Sequence, residues 1–205
     1  MAEFDLQPTL TDEQVIVRPL RADDWDAMFR AAADPKIWEL HPVSDRYTEP
    51  VFREFFESAL ASKAAFTFVN RVKGDIFGSS RYHGHDPDLS EIEIGWTFLA
   101  RPYWGGAYNR RIKSLMLRHA FHFVDTVIFM VGETNLRSRG AMQKIGGVLR
   151  SGMVARTLND VTYQHVVYEI RRSDWKTIQA DRTARPTGRR DCPDGRDGPI
   201  VRAAP

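Results

Sequence analysis

The sequence predicts an α/β chain of the α+β kind, with a mixed, mostly antiparallel central sheet flanked by helices, and three observations carry that expectation. Two pairs of strand-like runs are separated by short turn sequences, Lys73-Gly74-Asp75 and Asn159-Asp160, at the spacing of hairpins. Only one strand–helix–strand crossover is clear, through residues 101–111, which argues against a doubly wound sheet. The 205 residues, 42% hydrophobic and 27% charged, suffice for one domain with a sizeable core.

Residues 15–20, Val-Ile-Val-Arg-Pro-Leu, read as a first strand, and Asp23 or Asp24 is placed to cap a helix through Trp25, Met28 and Phe29. A second helix is expected over residues 49–62, where Pro50 suits the first turn and Val51, Phe52, Phe55, Phe56 and Leu60 form a buried stripe. Strands follow over residues 65–72 and 76–82. The run Glu91–Leu99 alternates strictly, putting Ile92, Ile94, Trp96 and Phe98 on one face and Glu91, Glu93, Gly95, Thr97 and Leu99 on the other. Next comes an amphipathic helix marked by Ile112, Leu115, Met116, Ala120 and Phe123. Thr126–Gly132 reads as a strand, residues 138–145 as a short helix ended by Gly146-Gly147, and residues 153–158 and 161–170 as the last hairpin. The parallel pair should be the glutamate strand and the Thr126 strand. A folded domain is expected over residues 1–178, followed by a solvated Arg/Asp/Pro/Gly-rich tail, 179–205.

The turn between strand and helix, Tyr103-Trp104-Gly105-Gly106-Ala107-Tyr108-Asn109-Arg110-Arg111, has the makings of an anion site. Small residues let successive N–H groups converge, and the helix they open adds partial positive charge. Arg110 and Arg111 oppose the helix dipole unless an anion binds there. An ordinary loop with two solvated arginines would read the same way.

Composition narrows the function classes. A net charge of +2 is too near neutral to announce a nucleic-acid binder, and the six arginines from Arg182 to Arg202 are mixed with aspartates. No apolar run is long enough to span a bilayer, so the expected location is the cytoplasm. The single cysteine, Cys192, offers neither a disulfide nor a metal cluster, and His83 and His85 lack further ligands, so no metal is expected.

Three motifs occur in order: Glu93-Ile94-Gly95-Trp96, then Tyr103-Trp104-Gly105-Gly106-Ala107, then Asn135-Leu136-Arg137-Ser138 followed by Lys144-Ile145-Gly146. Together they resemble the GNAT superfamily of acyl-CoA-dependent N-acetyltransferases, in the branch of the ribosomal-protein N-terminal acetylases. The resemblance implies acetyl-CoA as acyl donor, lying where two neighbouring strands splay apart. It places the pantetheine arm near Thr97, Phe98 and Leu99 and the pyrophosphate on Gly105, Gly106, Ala107, Tyr108, Asn109 and Arg110. Asn135 and Ser138 match positions beside the pantetheine and its sulfur, although both residue types also cap short helices. Pro102 stands where the family loop begins with Arg or Gln.

Attack of an amine on a thioester needs the amine neutral; a carboxylate acting directly or through water can take its proton, and Glu93, two residues from Glu91, is the first candidate base. The alternative is that both glutamates pair with arginines. A backbone N–H around Phe98 or Leu99 is available for the oxyanion. The family's usual acid, a tyrosine seven residues after the motif asparagine, is replaced by Met142, leaving Ser138 as the nearest hydroxyl by motif and Tyr163 and Tyr168 as distant ones. The resemblance also directs Trp38, His41 and Tyr47 to the acceptor side, with core packing equally open for Trp38. The expectation is a monomeric or homodimeric N-acetyltransferase acting on a protein N-terminus, a small-molecule amine or an amino-acid derivative by direct attack in a ternary complex. The alternative is a catalytically silent acyl-CoA-binding module.

Overall fold

A computed structural model describes residues 3–158 and 161–175. The expected Asn159-Asp160 turn, Cys192 and the 179–205 tail lie outside these residues. Eight strands form one sheet: β1 (Leu10–Thr11), β2 (Val15–Pro19), β3 (Ala65–Asn70), β4 (Ile76–Asp86), β5 (Glu91–Leu99), β6 (Thr126–Gly132), β7 (Val148–Leu158) and β8 (Val161–Arg171). Among the described residues, four helices of eight or more residues accompany them: α1 (Trp25–Ala32), α2 (Glu49–Ala61), α3 (Tyr108–Ala120) and α4 (Leu136–Ile145). The sheet order is β1-β2-β3-β4-β5-β6-β8-β7. Every neighbouring pair is antiparallel except β5 and β6, which α3 connects.

Two apolar clusters lie on the sheet. The larger packs Ile112, Met116, Leu117 and Ala120 of α3 against Phe66, Phe68, Phe77, Ile92 and Ile94. The smaller collects Trp38, Phe52, Phe55, Phe56, Met28 and Phe98 under α1 and α2. The phenylalanine stripe of α2 is buried as its three- and four-residue spacing requires. Asp24 occupies the N-cap position of α1 without capping it. Its carboxylate instead accepts two hydrogen bonds from Arg18, at 2.6 and 2.8 Å, one from Thr67 Oγ1 at 2.8 Å and one from the Arg21 N–H at 2.9 Å.

The strict alternation expected for β5 does not survive. On β4, Ser79 pairs with Phe98 and Arg81 pairs with Gly95, so three residue steps on β5 face two on β4. The extra residue is a β-bulge. Trp96 sits there in the left-handed region, at φ +52°, a position that costs an aromatic residue about 1–3 kcal/mol. Beyond the bulge the faces exchange: Phe98 and Trp96 join the α1/α2 cluster, whereas Leu99 joins Ile92 and Ile94 on the α3 side. Gly78 lies opposite, where a Cβ would collide with the Phe98 carbonyl oxygen.

The parallel ladder is short. Glu91, Ile92 and Glu93 pair with Thr126, Val127 and Ile128, and the pairing stops there. From Ile94 and Phe129 onward the two strands part, leaving their facing edges outside any ladder.

Candidate active site

A cavity of about 730 Å³ occupies the splay. Its walls are residues 94–99 of β5, Phe129–Gly132 of β6, the start of α3, the start of α4, and the 37–46 segment between α1 and α2. Of the residues expected to hold a cofactor, Thr97, Phe98, Leu99, Gly105, Gly106, Asn109, Arg110, Asn135 and Ser138 line it. Ala107 and Tyr108 are not on its wall. Tyr108 packs edge-on against Phe77 and Tyr103, with its hydroxyl 3.3 Å from Asn70 Nδ2, so its ring serves the core.

The turn before α3 is fixed by its aromatic residues. Tyr103 stacks on Phe77 with ring centres 4.2 Å apart, and Trp104 Nε1 donates to the Leu99 carbonyl at 2.8 Å. Gly105 takes φ +70° with open space where a Cβ would point. No side chain caps α3, so its first N–H groups have no side-chain acceptor. The two arginines of the first turn separate: Arg111 pairs with Asp12 at 3.0 Å, while Arg110 is exposed and lines the cavity. Arg101, the neighbour of Pro102, is taken by Asp34 at 2.6 Å.

Asn135 is the N-cap of α4, its Oδ1 accepting the Ser138 N–H at 3.0 Å, and both residues still line the cavity. Met142, where the family's tyrosine is expected, is buried on the same wall and offers no proton. Tyr163 and Tyr168 are not on the wall. His83 packs against Trp96 and His85 against Phe4, which separates the two histidines. Among the described residues, no group of three His, Cys, Asp or Glu side chains is placed to hold a metal, and no helix is long and apolar enough to cross a membrane.

Glu93 does not reach the cavity. It is buried, and both carboxylate oxygens accept from Arg156, at 2.6 and 3.3 Å. Glu91 is held separately by Arg150, which also binds Glu169. The pair of neighbouring carboxylates read from the sequence is therefore two carboxylate–guanidinium contacts. The bulge contributes, because Trp96 turns to that face and carries Arg81 and Arg156 over its ring, at 4.5 and 5.5 Å.

Three wall residues escaped the sequence reading. Lys113 is 1% exposed, on the buried face of α3, and its Nζ donates to Thr97 Oγ1 at 2.7 Å. Ser80 donates to the Gly95 carbonyl at 3.0 Å, so the 2.8 Å contact between Thr97 and Ser80 has Thr97 as donor. The buried amine is thus linked through two hydroxyls to the bulge, and burial pushes its pKa down to about 7. His165 of β8 lies opposite Gly132 and contacts its own strand's Tyr163 carbonyl through Nδ1 at 3.2 Å. A carbonyl only accepts, so Nδ1 is the donor in this contact, and a neutral ring has its lone pair on Nε2. Arg46 is the third; of the segment's residues that the resemblance directs to the acceptor side, Trp38 and His41 line the wall and Tyr47 does not, and nothing in the sequence singles out the arginine between them.

Residues 14–148 match the Acetyltransferase (GNAT) domain family. The chain belongs to the GNAT family. Among solved structures, a protein assigned as an acetyltransferase in T. thermophilus is similar at 28% identity and TM-score 0.72, over 90% of this chain and 98% of its own. A GCN5-related N-acetyltransferase from Brucella melitensis shares the fold at 16% identity and TM-score 0.76, over 89% and 86%. A Vibrio cholerae structure assigned as a ribosomal-protein-serine acetyltransferase shares it at 13% identity and TM-score 0.66, over 80% and 97%. No curated protein sequence matches the chain significantly. This GNAT chain is therefore an acyltransferase, of a family whose donor is acetyl-CoA.

Proposed function

We propose that this GNAT protein transfers the acetyl group of acetyl-CoA to a primary amine by direct attack, with donor and acceptor bound together. The observation that carries the reading is the continuity of one cavity, from the uncapped start of α3 through the splay to Trp38, His41 and Arg46. Two substrates entering from opposite ends would meet beside the bulge without a covalent enzyme intermediate. Acetyl-CoA supplies the activated acyl group as a thioester.

The residues present suit that donor. N–H groups from Gly105 to Arg110 at the open end of α3 accept an anion, and the Arg110 guanidinium adds charge there. The unpaired edge of Thr97, Phe98 and Leu99 offers backbone partners to an amide-bearing arm. Asn135, already bonded to the Ser138 N–H, contributes its remaining amide donors, and the Ser138 hydroxyl stands next to it.

For proton removal the geometry favours His165 over Glu93. Both Glu93 oxygens are engaged by Arg156 and Glu93 is not on the cavity wall, whereas His165 lines it and, when neutral, has its lone pair on Nε2. With Met142 in the tyrosine position, the departing thiolate takes its proton from solvent or from the Ser138 side. Thiol release from acetyl-CoA, measured across a panel of amines and peptides, tests the reading. Turnover on at least one amine is expected; donor binding without turnover on any would establish a silent acyl-CoA-binding module instead.

A further inference from the structure

Arg46 is a buried arginine without an ion pair among the described residues. It is 7% exposed, lines the cavity, and rests against Trp38 and Phe55, with its guanidinium carbon 5.2 and 4.7 Å from their ring centres. Its Nε is buried without a hydrogen-bond partner. No carboxylate among the described residues forms an ion pair with it, and Asp45 attracts it only weakly compared with burial and the repulsion of Arg81. Burying an unpaired guanidinium is costly, so a site that retains one is completed by something negative.

Its one polar contact points the same way. Arg46 Nη1 is 3.2 Å from His41 Nε2. His41 Nδ1 already accepts the Val43 N–H at 3.0 Å, so a neutral ring carries its proton on Nε2. Burial, then the charge of Arg46, pushes the His41 pKa down to about 3, which keeps the ring neutral. Two donors therefore face each other across 3.2 Å. An oxygen anion beside them accepts from both and removes the conflict.

The wider charge balance agrees. Arg81, 5% exposed, shares the Phe55 ring with Arg46, at 5.7 Å, and Arg156 is committed to Glu93. Arg81 and Arg156 thus share Glu93, and Arg46 forms no ion pair with it. His165, His41 and Arg46 line the same cavity, so an acceptor amine beside His165 shares that cavity with the Arg46–His41 contact.

We propose that Arg46 and the Nε2–H of His41 form an anion subsite, and that the acceptor carries a carboxylate close to its reacting amine. This rests on the acetyl-transfer reading above. The carboxylate is either the α-carboxylate of a free amino acid or an acidic side chain near a peptide N-terminus, and both present the same oxygens to Arg46.

The test uses the full-length protein with acetyl-CoA and matched acceptors: amino acids, their C-terminal amides, their decarboxylated amines, and short peptides with acidic or neutral first and second residues. Acidic acceptors are expected to exceed their neutral counterparts in kcat/KM by about tenfold or more. Preference for free amino acids identifies the α-carboxylate, and preference for acidic peptides identifies the side chain. In Arg46→Gln the advantage collapses through KM, and Arg46→Lys restores part of it. Equal rates for acidic and neutral acceptors, or an Arg46→Gln that lowers both alike, overturn the proposal; the wild-type comparison decides even if the variant fails to fold. Should no amine be acetylated, the transfer reading fails by itself. The subsite is then judged by calorimetric binding of N-acetyl amino acids: binding that their amides lack supports it, and no difference removes it.

Discussion

Lys113 Nζ donates to Thr97 Oγ1 at 2.7 Å, joining the second turn of α3 to the bulge of β5. Its burial sets a pH dependence. Between pH 7 and the ordinary lysine range the unfolded chain binds a proton that the folded chain does not, so this contribution to stability rises with pH across that window. Below pH 7 both states are protonated and the desolvation penalty is full. Lys113→Met is expected to be more stable than wild type at pH 6.5, by about 1–3 kcal/mol after the lost hydrogen bond is counted. The difference should shrink toward about pH 9.5 in urea unfolding. Parallel pH profiles for the two proteins would refute the account.

Asp24 behaves in the opposite sense. Burial alone would raise its pKa, but hydrogen bonds from Arg18, the Arg21 N–H and Thr67 outweigh it and hold the carboxyl below the usual range. The stability this confers is present above the unfolded carboxylate pKa and lost as pH falls through the folded value. Asp24→Asn should cost about 3 kcal/mol or more at pH 7, because Arg18 loses its buried partner, and much less at pH 3. Urea midpoints at the two pH values measure this.

Gly105→Val tests the anion cradle. The added side chain meets open space, so the fold should persist, but φ +70° is strained for valine and the turn shifts to relieve it. Calorimetry should show acetyl-CoA binding weakened about tenfold or more, with a thermal midpoint within a few degrees of wild type. Unchanged affinity would mean that the phosphates bind elsewhere.

His165→Gln and Glu93→Gln should separate catalysis from scaffolding. The first is expected to lower kcat by about 10²-fold or more, with the fold intact. The second leaves Arg156 and Arg81 without their carboxylate and should reduce stability while retaining most of the turnover. The reverse pattern would return the base to Glu93.

The strands and helices with repeating apolar residues were legible: the phenylalanine stripe of α2, the parallel pairing of β5 and β6 and the glycine turn that opens α3 follow from spacing and small residues. Local exceptions were not. β4 continues to Asp86 through His83-Gly84-His85, where the sequence offers a turn. β7 begins at Val148, not at residue 153, because its register slips between Leu149 and Met153 around Gly152 at φ +88°. The Trp96 bulge has no composition signal, and without it neither the faces of β5 nor the partners of Glu93 can be assigned. Lys113 was hidden by its type, since a lysine beside an apolar stripe is ordinarily solvated. Its neighbours Met116 and Leu117, three and four residues on, place it on the buried face.

The bulge also lets the strand carry one side chain more than its partner has positions for. With Trp96 removed, Gly95, Thr97 and Phe98 would sit opposite Arg81, Ser80 and Ser79 in regular pleating, so Phe98 would keep its ring cluster and Thr97 its place facing Lys113. What would go is the indole itself, and with it the ring that Arg81 and Arg156 share. The extra residue is thus an aromatic shelf slipped into one layer of the sheet, and the strain at its φ of +52° is the cost of fitting it without disturbing the residues that lead to the cavity.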